Sequence, residues 1–356
     1  MENFIKYLEV RNFKSLKDLK IECSKINLFI GRTNVGKSNL LEALSLLGKS
    51  SGEKFYSNMI KYQDIDNLFY NSNVKNPVII TTDKHKAILK RWNKEEFGFF
   101  QNLINNDLDL YKHYHENLTN TISNFQEFMK EKFLDDNWLN KIYGGKIETK
   151  SNKLYPKNNI NSNIKYYKFK LVDFTHDDPD SLSYPNGSNL FSILSTNEQL
   201  KKTIVSYMKD YDLELLYQPS INNFKIQKRK GYLVYDIPFV VFSDSILKIT
   251  FYKAAILSNE DSVLIFEEPE VNSYPPYIRD LTDEILEDKK NQFFISTHSP
   301  YIFEKIIQEN RDDISVFVLD YKDHESVAYN MSDDQIMKIL DYDMDVFLNM
   351  DKIIYE

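Results

Sequence analysis

The segment Gly31-Arg32-Thr33-Asn34-Val35-Gly36-Lys37-Ser38 constrains the fold more than any other part of the chain. Two glycines, a lysine and a hydroxyl at this spacing match a phosphate-cradling loop. The glycines let backbone N–H groups turn inward around a phosphate, and the helix that follows adds its positive end. Lys37 is then placed to reach the β- and γ-phosphates, and Ser38 to hold Mg2+. Such a loop has to join a strand to a helix, and both flanks comply. Ile26 to Ile30 is a mostly apolar run, and Ser38 to Leu47 carries Leu40, Leu41, Leu44 and Leu47 at helical spacing. In a chain with only nine glycines, a chance match in this setting is rare. Residues Gly31 to Asn39 are therefore the expected nucleotide-binding loop, with ATP and Mg2+ as its occupants.

Two further apolar strands end in residues suited to the same chemistry. Val263-Leu264-Ile265-Phe266 fits a central parallel strand buried on both faces, and Glu267-Glu268-Pro269-Glu270 emerges at its C-terminal end. Open α/β sheets place ligands at that end. Glu267 is the candidate for the Mg2+ shell beside Ser38, and Glu268 the candidate to polarise an attacking water. Phe293-Phe294-Ile295-Ser296 runs into Thr297-His298-Ser299-Pro300, which sets His298 to meet a γ-phosphate. The catalytic candidates are Lys37, Glu268 and His298.

The rest of the chain reads as α/β. Ile5 to Val10 and Leu19 to Cys23 alternate as N-terminal antiparallel strands, and residues 77 to 82 read as another strand. From Lys84 to about Leu139 the pattern is helical, carried by Phe97, Phe99, Phe100 and Leu103, then Phe125, Phe128 and Phe133, until Gly144 and Gly145 break it. This predicts a head of residues 1–83 and 146–356 with a helical insertion over 84–145. Lys165 to Val172 reads as a strand and Ser245 to Leu257 as a helix. An acidic terminal helix carries Asp341, Asp343 and Asp345, which read as a solvated face rather than a metal site. His113 and His115 fall on different faces of a helix and make no metal site either.

The stretches EVRNFKSLKDLKI, FIGRTNVGKSNLLEAL, VLIFEEPE and FFISTHSP together resemble the ABC-type ATPases of the SMC, RecF and OLD kind. The resemblance is close over residues 1 to 50 and about 235 to 305. It implies a P-loop NTPase of α/β class, with an ABC-type head and a mostly parallel central sheet. It also implies ATP hydrolysis, with charge stabilisation by Lys37 and Mg2+. Members of this class form head-to-tail dimers in which a signature segment of one subunit caps the nucleotide of the other. The corresponding residues here are Ser243, Asp244 and Ser245, where Ser243 suits an N-cap, although the usual signature glycine is missing. Gln63 is the candidate for the glutamine that senses Mg2+ in the class.

The implied role is a stand-alone ATP-driven switch without the Toprim nuclease module of the OLD branch. It would act as a homodimer or higher homo-oligomer that controls a separate effector, in anti-phage defence or a mobile-element system. A RecF-like DNA-binding ATPase and a non-hydrolysing ATP-bound scaffold are the alternatives. The formal net charge of −8 disfavours DNA as a partner. The local basic candidates are Lys165, Lys168 and Lys170, then Lys225 and Lys228 to Lys230, and solvated strand faces are their plainer reading. A single Cys23 leaves no internal disulfide, and neither a signal peptide nor a membrane span is legible, so a cytoplasmic location is expected.

Overall fold

A computed structural model describes residues 2–48, 56, 58–91, 93–101, 143–148, 154–156, 162–175, 180–209, 211–221, 223–309, 312–342 and 344–355. β1 (Tyr7–Phe13) and β2 (Leu16–Glu22) form a hairpin with Val10 opposite Leu19. Buried and exposed side chains alternate along most of both strands, the period of a half-buried strand. β3 (Ile26–Gly31) leaves this hairpin for a different sheet and is buried at all six positions. β4 (Val78–Thr82) returns to pair with β1. β5 (Lys86–Arg91), β6 (Glu96–Gln101), β7 (Tyr143–Glu148) and β8 (Leu154–Pro156) extend the antiparallel sheet, in the order β2-β1-β4-β5-β6-β7-β8.

The helical insertion expected from Lys84 does not begin there: Lys86–Arg91 and Glu96–Gln101 are two strands continuous with β1 and β4. Phe97 and Phe99 are both fully buried, so the operative period is two, not 3.6. A run with Phe at 97, 99 and 100 and Leu at 103 satisfies both counts, which is why the pattern misleads. Gly144 and Gly145 do not break an element either. They lie inside β7, in register with Phe100 and Phe99 of β6. Residues 102–142, with His113, His115, Phe125, Phe128 and Phe133, lie outside the described residues.

β9 (Ile164–Tyr167) stops at Tyr167, short of the strand expected to Val172. β10 (Leu213–Gln218), β11 (Asn223–Lys230) and β12 (Leu233–Pro238) form a separate antiparallel sheet. β13 (Val263–Glu267), β14 (Gln292–Ser296), β15 (Ile314–Lys322) and β16 (Glu325–Asn330) complete the central sheet, ordered β16-β15-β3-β14-β13-β9. All its pairs are parallel except β15 with β16.

The helix Lys37–Ser45 lies between the two large sheets. Its Leu40 and Leu44 share a core with Phe29, Phe294 and Phe317 of the central sheet and with Val10 and Val78 of the antiparallel one. Phe29 stacks on Phe317 at 5.3 Å and on Phe294 at 6.1 Å, pinning β3 between its neighbours. The opposite face of the central sheet is covered by helices Leu190–Thr196, Glu198–Lys209, Asp244–Leu257, Pro275–Glu287 and Pro300–Gln308. Two short helices, Asp333–Asp341 and Met350–Tyr355, replace the single acidic terminal helix. Asp345 lies between them and accepts the N–H groups of Phe347 and Leu348, while Asp343 lies outside the described residues. No helix among the described residues is long and apolar enough to cross a membrane.

Candidate nucleotide site

The C-terminal ends of β3, β13 and β14 converge on one cleft of about 360 Å³. Gly36 lines it, and Gly31 ends β3 at its edge. Gly31 has φ +148°, and a Cβ there would come within 2.5 Å of the Leu319 carbonyl oxygen on β15. Gly36 has φ +102°, and a Cβ there would meet the Ser326 hydroxyl at 2.2 Å. Only glycine sustains both positions. Gly36 is also the N-cap of the helix Lys37–Ser45 and contributes no capping side chain, and the first turn holds no acidic residue. The N–H groups at this helix end stay available for an anion.

The loop residues divide by task. Lys37 is buried, and its Nζ donates to the carbonyl oxygens of Gly31 (2.9 Å) and Arg32 (2.7 Å). Burial pulls its pKa down to about 8 against the opposing pull of Glu268 and Glu270. Thr33, Asn34 and Ser38 line the cleft, while the Val35 side chain packs into the core and leaves only its backbone to the loop. Asn39 borders the cleft, with its amide spent on the Ser15 hydroxyl. Arg32 turns outward to an exposed pair with Asp351.

Glu267 closes β13 beside Ser296 of β14. Its Oε2 accepts the Tyr166 hydroxyl at 2.5 Å and pairs with the Lys168 ammonium, and the Ser38 hydroxyl helps hold its carboxylate ionised. Burial alone would raise its pKa, but bonds from Lys168, Ser38 and Tyr166 override that and hold it at about 2. An ionised carboxylate beside a hydroxyl is a hard-oxygen donor set that suits Mg2+. Glu268 follows with φ +46°, a conformation that turns its carboxylate into the cleft mouth. His298 Nε2 stands 3.6 Å from Glu268 Oε1, too far for a hydrogen bond. Burial, then Lys37, lower the His298 pKa, which favours the neutral ring.

Glu270 couples the two strand ends. Its Oε1 accepts the Thr297 hydroxyl (2.8 Å) and the His298 N–H (2.7 Å), while Oε2 is buried without a bonding partner among the described residues. The acidic segment thereby fixes the backbone that presents His298. Lys14, Glu42 and Lys61 also line the cleft and have no motif in the sequence. Glu42 is a buried carboxylate paired with Lys14 and bonded by the Lys61 N–H at 3.3 Å.

Gln63 does not reach the cleft. It is exposed, its N–H bonds Asn67 Oδ1 at 3.3 Å, and the turn Ile65–Leu68 carries it outward, leaving Lys61 as the residue of that segment at the site. Ser243 is the N-cap of Asp244–Leu257, its Oγ accepting the Ile246 N–H at 3.4 Å. Ser245 Oγ bridges the Asn272 carbonyl (3.2 Å) and the Tyr274 N–H (2.8 Å), and Lys248 donates to the Val271 carbonyl at 2.6 Å. Ser243, Asp244 and Ser245 are absent from the lining of this chain's own cleft.

The basic candidates also separate. Lys165 donates to Ser181 Oγ (2.9 Å) and Asn259 Oδ1 (2.5 Å), Lys168 serves Glu267, and Lys225 pairs with Asp236 at 3.6 Å. Lys228, Arg229 and Lys230 are exposed at the β11–β12 turn.

Among known proteins, the chain is similar to the "ATP/GTP phosphatase" of Helicobacter pylori, at 23% identity over 338 residues, 86% of this chain and 89% of that one. It is also similar to the DNA replication and repair protein RecF of Clostridium tetani, at 39% identity over 64 residues, only 17% of each chain. The crystal structure of the Smc head bound to the C-terminal winged-helix domain of ScpA covers 94% of this chain and 100% of its own, with a TM-score of 0.49 and 16% identity. A family model described as "AAA domain, putative AbiEii toxin, Type IV TA system" matches residues 26–304. The chain belongs to that family.

Proposed function

We propose that the protein binds and hydrolyses ATP and uses the cycle as a switch, closing head-to-tail with a second copy and controlling a separate effector. The observation that carries this reading is the convergence of Lys37, Ser38, Glu268 and His298 on one cleft, with the Glu267 carboxylate next to Ser38. Lys37 and the open helix end bind the phosphates. Ser38 and Glu267 are the residues that would hold Mg2+, which supplies charge neutralisation on the phosphates. Glu268, free of any hydrogen bond to His298, takes the proton side of the attack by orienting water, and His298 stands beside it to bond the terminal phosphate.

Dimerisation is supported by the exposed end of the helix Asp244–Leu257. Val241, Val271 and Tyr274 are exposed apolar residues on the two segments that meet there. Ser245 and Lys248 tie this end to the loop that leaves Glu270, so a partner's phosphate on the Ser243 end would be felt at the acidic motif. The family description and the charge of −8 support a defence or mobile-element setting over DNA repair. The test is the hydrodynamic size of Glu268→Gln with and without Mg2+ and ATP. A stable dimer only with ATP is expected, and a monomer under all conditions removes the switch. The exposed Lys228-Arg229-Lys230 turn keeps a second reading, DNA binding, which requires duplex affinity that falls steeply with salt.

A further inference from the structure

Glu267 already carries a cation of the protein's own. Lys168 is the first residue after β9, and the register of β9 against β13 sets Tyr167 beside Phe266, which leaves Lys168 level with Glu267. Its backbone is anchored by an N–H bond to the Pro185 carbonyl at 3.0 Å, so the reach of the side chain is fixed. The ammonium lands on Glu267 Oε2, the oxygen that also accepts Tyr166. The two partners differ in burial: the Glu267 side chain is 6% exposed, the Lys168 side chain 36%. A buried carboxylate stripped of its counter-charge is strongly destabilising, whereas a lysine with a third of its surface in water has a route out.

A divalent ion beside Ser38 and this ammonium are like charges drawn to one small carboxylate, and their mutual repulsion sets them in competition. We propose that Lys168 is a placeholder counter-ion, neutralising Glu267 while the metal is absent and withdrawing toward solvent as Mg2+ enters with the nucleotide. This rests on the reading of Glu267 as a metal-shell residue. It makes the ion, and not the nucleotide alone, the event that rearranges the β9–β13 edge of the site.

The experiment compares wild type, Lys168→Met and Lys168→Arg in binding of a fluorescent, non-hydrolysable ATP analogue across a Mg2+ titration. Lys168→Met is expected to lower the half-saturating Mg2+ about three- to ten-fold, the range for a partly exposed ion pair, with Lys168→Arg close to wild type. Without metal, Lys168→Met is expected to melt below wild type, and saturating Mg2+ and analogue should narrow that gap. An unchanged Mg2+ midpoint overturns the proposal. So does weaker nucleotide binding by Lys168→Met at every Mg2+ concentration, which would make Lys168 a phosphate ligand. Amine labelling of Lys168 in wild type, read by mass spectrometry, needs no variant: reactivity rises on adding Mg2+ and analogue, and constant or falling reactivity contradicts the proposal. If wild type binds no nucleotide at any Mg2+ concentration, the ATPase reading fails instead.

Discussion

Raising the pH through 8 should weaken nucleotide binding, because Lys37 is largely discharged above that point before any phosphate arrives. Lys37 is only 5% exposed, and burial draws its pKa from the ordinary 10.5 to about 8 although its Nζ donates to two backbone carbonyls. Triphosphate favours the charged ammonium and raises the pKa again in the complex. The sign follows from that difference. Below about 8 the free protein already carries the proton and affinity is flat. Above it, binding must take up a proton, and affinity falls by about tenfold per pH unit until the pKa of the complex is reached. Affinity at pH 9 is then roughly one tenth of that at pH 7. The assay is fluorescence polarisation of an ATP analogue from pH 6.5 to 9.5 at fixed Mg2+ and ionic strength. Lys37→Arg, which stays charged, should bind with a flatter profile whatever its absolute affinity. A flat wild-type profile to pH 9.5 would refute the account of Lys37.

Gly36→Ala should abolish nucleotide binding, since its Cβ would strike the Ser326 side chain in a φ +102° backbone; retained affinity would show that the loop re-forms another way. Leu264→Ala, in a fully buried position of β13, should cost about 2–5 kcal/mol in denaturant unfolding, and a loss under 1 kcal/mol would contradict its place in the central sheet. Ser245→Ala removes the bridge to Asn272 and Tyr274; it should leave monomer binding of ATP intact and reduce turnover at low protein concentration, which activity measured against dilution would reveal.

Residues whose task is backbone geometry or strand ends were legible in the sequence; residues brought in by register were not. Gly31 to Ser38 announced a strand-to-helix turn, and the apolar runs before Glu267 and His298 announced buried strands. Ser243 was readable as a cap because capping is local. Tyr166 and Lys168 had no such signal, since they meet Glu267 only through the pairing of β9 with β13, some hundred residues apart in sequence. Lys168 therefore read as part of a basic run. Glu42 looked like an ordinary helix residue until Lys14, from the β1–β2 turn, proved to lie against it. Phe97 and Phe99 misled for the opposite reason: a dense aromatic run obeys two periods, and only its pairing with β7 selects one.

The most direct test of the central claim is ATP turnover by wild type beside Glu268→Gln, with nucleotide binding measured in the same samples. The account predicts that both bind ATP, that wild type releases phosphate with Mg2+ present, and that Glu268→Gln releases at least a hundredfold less, on the order of what a removed general base costs. Equal turnover by the two proteins would contradict the assignment of Glu268 and with it the mechanism built on this cleft.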